Sequence, residues 1–445
     1  MGVQRRAVLG SGVAALLGGC GSRQPPASRA GMPSATGGSS AAAPARTGPA
    51  ETPEQVAFTP GRTVVPLQTP AAYAGALSKV ITKYLAPNPD HPKYPAYAGA
   101  VLLVAVDGQV TVHDAVGDAL RYGTGPAELP KSQRVAMLND SIFDLASITK
   151  VFTALLVLQL VDQGKVRLDA SVADYLPQFG KQQVTVGMVL AHTGALPGGV
   201  SFAGAKDNTE RWRRVLTAPL VAQAAPGSTF RYSGVGLMVL GRLVEKLTGL
   251  SLDEAVQQRI AAPLGLRDTM FTPLKRLQKD DPRLVATEAR KARGLTRGVV
   301  HDDLCLALGG VAGHAGMFGT AADLAVVGQM LVNGGEYKQQ RILSERTVRA
   351  MITNVNMGLP AIDAERPGRS ADHGLGVELQ QPWFMGRLAR PVTFGHTGFT
   401  GTSLVVDPDR RLVVVLLTNR AHPDWTRANP DKPRIAVADA LADVI

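Results

Sequence analysis

The chain has 445 residues, 45% of them hydrophobic, and a formal net charge of +11. That length holds one large domain or two ordinary ones, and the apolar share is that of a globular protein rather than a disordered one. No run of five like charges and no aromatic-interleaved basic patch occurs, so nucleic acid is not an expected partner. The positive balance suits anionic lipid headgroups or wall polymers, although a solvated surface with more Arg than Glu is the better reading.

The first elements along the chain concern targeting. Arg5-Arg6 form a positive region, Ala7 to Leu17 a short apolar stretch, and Leu17-Gly18-Gly19 leads into Cys20. This pattern reads as a secretory signal over residues 1–19, and small residues before a cysteine are similar to a bacterial lipobox. The arginine pair followed by Ala7-Val8-Leu9 also resembles a twin-arginine signal. The apolar part is too short to span a bilayer. The expectation is an exported protein, anchored by lipid on Cys20 to the outer face of the bacterial cell membrane. Loss of Arg5 and Arg6 with the signal takes the charge from +11 to +9. Cys305, the remaining cysteine, lies among Leu304, Leu306 and Leu308 and reads as a small buried hydrophobe. Residues 20–62 are dominated by Pro, Ala, Ser, Gly and Thr; they cannot bury enough surface to offset their ordering entropy and read as a flexible tether. Residues 63–445 are expected to form the folded domain.

Within that domain, Val101 to Val106 is a continuous apolar strand, Asp107-Gly108 a tight turn and Gln109 to His113 an alternating strand, which together predict a hairpin. Ser141 to Ala146 then reads as a short extended run ahead of Ser147-Ile148-Thr149-Lys150. These residues open a helix, Val151 to Val161, that carries no charge and must be buried by packing. A serine and a lysine three apart on a helix share a face. At the mouth of a buried helix, hydroxyl and ammonium are costly unless they work for each other. Burial disfavours the charged amine, lowers its pKa and turns Lys150 into a base for the proton of Ser147, an activated nucleophile.

Tyr232-Ser233-Gly234 follows a turn at Pro226-Gly227 and precedes a helix pattern over Gly236 to Val244. Between Leu304 and Gly316 the chain is rich in glycine. His301, Asp302, Asp303 and His314 lack the spacing of a zinc site, so no metal and no cofactor is expected, and loop structure or cleft lining is the better reading. His396-Thr397-Gly398 comes just before a closing hairpin, Thr402 to Val406 and Leu412 to Leu417 around Asp407-Pro408-Asp409. Strands at both ends with helices between predict one antiparallel sheet completed by both termini, with an inserted helical subdomain, an α/β (α+β) arrangement. No G-x-S-x-G, Walker loop, H-E-x-x-H or dinucleotide fingerprint is present.

Taken in order, Ser147-x-x-Lys150, Tyr232-Ser233-Gly234 and His396-Thr397-Gly398 resemble the serine β-lactamase and penicillin-binding-protein superfamily. The likeness is to its class C-related branch of D-alanyl peptidases, esterases and muropeptide-processing relatives. It runs from about Ala98 to about Arg420 and takes in Leu190 to Pro197 and Leu308 to Gly316. The resemblance implies a β-lactamase/transpeptidase-like fold, an antiparallel sheet flanked by helices with an all-α lobe, and a nucleophile in the cleft between them. It implies Ser147 as nucleophile, Lys150 as base and Tyr232 as a second acid/base whose phenolic pKa is lowered by the ammonium. The N–H groups of Ser147 and Phe399 would hold the oxyanion, with His396, Thr397 and Gly398 at the substrate. His192 is expected to be structural.

Two departures bear on the substrate. The asparagine that contacts substrate amides in relatives is Gly234 here, and the third-motif lysine is His396, mostly neutral near pH 7. A fixed cation for a substrate carboxylate is therefore expected to be missing, which argues against an efficient β-lactamase. Three readings stay open: a hydrolase of peptidoglycan-derived peptides or amides, a carboxylesterase on lipids or small esters, and a non-catalytic binder that keeps the fold. The partner is then a small molecule or muropeptide, and a monomer is expected.

Overall fold

The computed structural model describes residues 56–445 apart from Pro60, Gln68, Gln223, Ala364 and Glu365. Cys20, the export signal and most of the expected tether lie outside the described residues. Contacts with the core begin ahead of the boundary expected at residue 63. Val56 and Phe58 pack against it, and the Arg349 guanidinium lies 4.8 Å from the Phe58 ring centroid.

The predicted hairpins pair to make the central sheet. Strands β1 (Gly99–Val106) and β2 (Gln109–Leu120) form the first, and β4 (Ser403–Asp407) and β5 (Leu412–Thr418) the second. Strand β3 (Phe394–Thr397) carries the third motif. The order is β2-β1-β5-β4-β3, antiparallel throughout, with Leu412 opposite Val106 and Thr418 opposite Ala100 where the two ends of the domain meet. Short strands extend both edges, Val65–Pro66 running parallel to β2 and Glu378–Leu379 pairing with β3.

Both faces of this sheet are covered, which is why its central strands read as continuous apolar runs rather than as alternation. The period of two still sorts the residues. Ala100, Leu102 and Val104 of β1, with Leu412, Val414 and Leu416 of β5, face helices α1 (Ala74–Lys83) and α5 (Asp431–Ala442). Val101, Leu103 and Ala105, with Val413, Val415 and Leu417, face the larger core. There α4 (Ala321–Val332) crosses the sheet closely at Gly328, where a Cβ would stand 2.5 Å from Val413 Cγ1.

The helical lobe is built around α2 (Thr149–Asp162), whose residues from Thr149 to Leu160 are all buried. It packs on α3 (Gly234–Thr248), the helix expected after the second motif, whose N-terminus is capped by the Ser233 side chain on the Gly236 N–H at 3.0 Å. Cys305 is fully buried, its thiol donating to the Ala315 carbonyl at 3.1 Å, the packing role expected of it. A small sheet of Phe143–Asp144, Met317–Gly319 and Met270–Phe271 delivers the chain to Ser147 at the foot of α2.

Candidate active site

Ser147 sits in a single 3₁₀ turn, Ala146–Ile148, between that short strand and α2. Ala146 is held at φ +48°, a left-handed conformation in which a non-glycine residue is strained. What holds it is a buried carboxylate. Asp144 Oδ1 accepts from the Ala146 N–H at 2.9 Å and Oδ2 from the His301 N–H at 2.6 Å. Burial raises the Asp144 pKa to about 6, with the two N–H donors pulling against it. Thr149 fixes the other side of the turn, donating to the Ala146 carbonyl at 2.6 Å and accepting from the Met317 N–H at 3.1 Å.

Lys150 is 2% exposed. Its Nζ donates to Ser147 Oγ at 2.9 Å and to the His314 carbonyl at 2.9 Å. Burial pulls its pKa down to about 7, against the smaller opposing pull of Asp302 and Glu378. A shift from 10.5 to about 7 corresponds to roughly 5 kcal/mol of disfavoured charge. The amine is thus poised to be neutral, as its helix environment predicts.

Tyr232 completes the pair from the second motif, with the Lys150 ammonium 4.9 Å from its ring centroid. Its pKa is raised well above the usual phenol value, a correction to the lowering expected from that ammonium. Burial outweighs every other influence, although the Ser147 hydroxyl pulls downward. Burial therefore favours the neutral phenol at Tyr232. His192 lies against it, ring centroids 4.6 Å apart, and accepts at Nδ1 from the Ser233 N–H at 3.0 Å. Its backbone is left-handed at φ +58°, and its carbonyl accepts from the Arg231 N–H at 2.9 Å. The histidine expected to be structural thus orients the segment that carries Tyr232.

The third motif divides. Thr397, Gly398 and Phe399 line a cavity of about 410 Å³ together with Ser147 and Tyr232, whereas His396 does not line it. His396 is 1% exposed, behind Tyr232, and its Nδ1–H donates to the Thr397 carbonyl at 2.8 Å. Burial, then the Lys150 charge, drives its pKa well below the ordinary value, so it is a neutral imidazole. The structure differs from the expectation that His396 lies at the substrate, because it is buried outside the cavity, while its neutral state is the one expected. Gly398 is required by close approach: a Cβ there would stand 2.1 Å from Thr402 Oγ1 and 2.5 Å from the Leu145 carbonyl oxygen. Thr400 and Thr402 donate to the Asp144 and Leu145 carbonyls at 2.7 and 3.2 Å, so the turn after the third motif is tied to the segment that leads to Ser147. The Ser147 and Phe399 N–H groups, the expected oxyanion donors, are not taken by an acceptor among the described residues. Phe399 is 43% exposed yet fixed between His301, Trp425 and the Arg420 guanidinium.

Glycine at 234 also has a local reason. A Cβ would lie 2.7 Å from the Gly198 carbonyl oxygen and 3.4 Å from the His314 ring. His314 Nε2 in turn meets Asp302 Oδ1 at 3.0 Å, which fixes the ring beside Gly234. Sequence reasoning missed the cations. Arg231, Arg366, Arg369, Arg420 and Arg434 line the cavity, so the fixed positive charge expected to be missing is supplied by guanidinium groups. Only Arg231, beside Tyr232, carried a positional signal in the sequence.

The profile of the family described as Beta-lactamase matches residues 90–439. The chain belongs to that family. Relatives from Escherichia coli K12 and O157:H7, each named "Putative D-alanyl-D-alanine carboxypeptidase", are 33% identical over 365 residues, covering 73% of this chain and 79% of theirs. A penicillin-binding protein homolog from Caulobacter crescentus shares the fold at a TM-score of 0.62 and 20% identity, over 85% of this chain and 99% of its own. A family VIII carboxylesterase does so at a TM-score of 0.62 and 21% identity, with 85% and 99% covered. The chain is a β-lactamase-family serine hydrolase with a β-lactamase/penicillin-binding-protein fold.

The pKa directions fix the pH dependence of acylation. With Lys150 as base, the rate on a neutral ester rises with pH around a midpoint of about 7. It then stays level to the ordinary phenol range, because Tyr232 keeps its proton there. Stopped-flow acylation between pH 5 and 10 checks this; a midpoint near that of a free lysine, or a fall between pH 8 and 9, contradicts the assignment.

Proposed function

We propose that this protein releases the C-terminal D-alanine of peptidoglycan-derived peptides through an acyl-enzyme on Ser147. The observation that carries the reading is the buried Lys150 Nζ, 2.9 Å from Ser147 Oγ, beside a cavity lined by guanidinium groups. The name of the Escherichia coli relatives supports the choice of substrate. A non-catalytic binder would have no use for an amine buried against so large a penalty.

In this mechanism the neutral Lys150 takes the Ser147 proton as Oγ bonds to the carbonyl carbon. The Ser147 and Phe399 N–H groups hold the oxyanion, each donor contributing about 3 kcal/mol. The C–N bond then breaks, the departing nitrogen takes the Tyr232 proton, and the Lys150 ammonium returns its proton to the Tyr232 oxygen. Water attacks the acyl carbon, giving a proton to Lys150, and the C–Oγ bond breaks with that proton passing to Ser147. Neutral lysine as acceptor and neutral phenol as donor are the states that burial of both groups favours.

One observation favours a second reading, a carboxylesterase. Gly234 offers no side chain to a substrate amide, and the Gly198 carbonyl leaves no room for one. An ester needs no such contact.

Release of D-alanine from an acyl-D-Ala-D-Ala peptide, measured by an oxidase-coupled assay, decides between the two. Ser147→Ala is expected to abolish both release and fluorophosphonate labelling without unfolding the protein, because it removes one oxygen from a cleft. Labelling that persists at the wild-type level places the nucleophile elsewhere; turnover of esters alone, with no D-alanine released, leaves the esterase reading.

The proposal places the enzyme outside the cytoplasmic membrane, tethered through Cys20, on the strength of residues 1–20 of the sequence. Cys20→Ala is expected to move it to the soluble fraction. A variant still sedimenting with membranes after a high-salt wash overturns the anchor.

A further inference from the structure

Five guanidinium groups and two carboxylates, Asp363 and Glu378, line the cavity at Ser147. Four of the arginines have recorded partners. Arg369 reaches Asp363 at 3.0 Å and Glu378 at 2.5 Å. Arg366 meets Asp431 at 3.1 Å. Arg434 is shared between Asp431 at 3.1 Å and the carbonyls of Gly398 and Thr402 at 2.8 Å each, which braces the third-motif turn. Arg420 donates to the Trp425 carbonyl at 2.6 Å. Arg231 differs. Its backbone N–H goes to the His192 carbonyl, and its half-buried guanidinium has no hydrogen-bond or ion-pair partner among the described residues. A cation in a partly closed cavity that no carboxylate among the described residues pairs can take an anionic ligand group.

Its position along the chain says which part of the ligand. This step rests on Ser147, Lys150 and Tyr232 acting as proposed above. Tyr232 must reach the departing atom to protonate it, so the leaving group lies on the Tyr232 side of the cavity, where Arg231 is the adjoining residue. In an α-amino or α-hydroxy acid leaving group the carboxylate is one carbon from that departing atom, within the sweep of an arginine side chain. His396 is buried and neutral and does not line the cavity, so it offers no competing cation. We propose that Arg231 is the specificity-determining residue that binds the carboxylate of the leaving group, selecting acyl compounds whose departing half is an α-carboxylate.

A matched pair of esters tests this without assuming a peptide substrate. Both carry one acyl group, joined in one to lactic acid with its carboxylate free and in the other to lactamide. The readout is the ratio of kcat/KM for the acid over the amide, which does not depend on how much of a variant is folded. The wild type is expected to favour the acid. Arg231→Gln is expected to lower the ratio about ten- to a hundred-fold, the range of a charge-assisted hydrogen bond. Arg231→Lys should recover part of it, since it keeps the charge and loses the planar fork. A ratio that Arg231→Gln leaves unchanged overturns the proposal, as does a wild type indifferent to the carboxylate. Failure to release D-alanine from a peptide, with the ester ratio still dependent on Arg231, would sink the peptidase reading and leave this one standing.

Discussion

The constraint on which the rest of the site depends is the exclusion of water from Lys150. An amine that would ordinarily hold its proton to about pH 10.4 stands at the foot of a buried helix, and no acid touches it directly. Its two hydrogen-bond partners are neutral, the Ser147 hydroxyl and the His314 carbonyl. The sign of the linkage follows. Because the folded pKa is depressed from 10.5 to about 7, the unfolded chain binds the proton more tightly across that interval. The resulting instability is full below about pH 7 and fades as the pH rises toward the ordinary lysine value. The protein tolerates it because α2 buries every side chain from Thr149 to Leu160.

Desolvation also divides the labour among the neighbouring groups. Tyr232, His192, His373 and His396 are all pushed toward their neutral forms by burial, so the wall behind the nucleophile carries little charge. The charge stands instead on the arginines that line the cavity, where guanidinium groups outnumber carboxylates. Neutral proton-transfer groups with guanidinium groups beside them in one cavity are a workable division. An ammonium placed where His396 lies would depress Lys150 further, whereas arginines braced by Asp363, Glu378 and Asp431 supply positive potential without crowding the base.

Much of this was legible in the sequence because it is local. The Ser147–Lys150 spacing, the uncharged run of α2, the Asp107-Gly108 turn and the two apolar hairpins each follow from neighbours in the chain. The meeting of β1 with β5 was readable because each hairpin carries strands too apolar to be exposed. What was not legible depends on residues far apart in sequence. The direction of the Tyr232 shift is set by how many atoms surround it, which no spacing reveals. The burial of His396 depends on its register in β3, and a three-residue motif does not say which residue faces inward. Arg369, Arg420 and Arg434 reach the cavity from separate segments, and Asp144 accepts from the His301 N–H across more than 150 residues of chain. Arg231 stood next to a recognised motif, and only the count of partners around the other arginines set it apart.

The account stands on a lysine that loses its proton near neutral pH, and that state can be observed directly. Lysine carrying ¹³C at the ε position reports protonation of each amine by NMR as the pH is raised. One resonance, missing in Lys150→Met, is predicted to titrate near pH 7, far below the ordinary lysine value. If every lysine resonance, that of Lys150 included, titrates in the ordinary range, Lys150 is a cation at working pH and cannot be the base for Ser147.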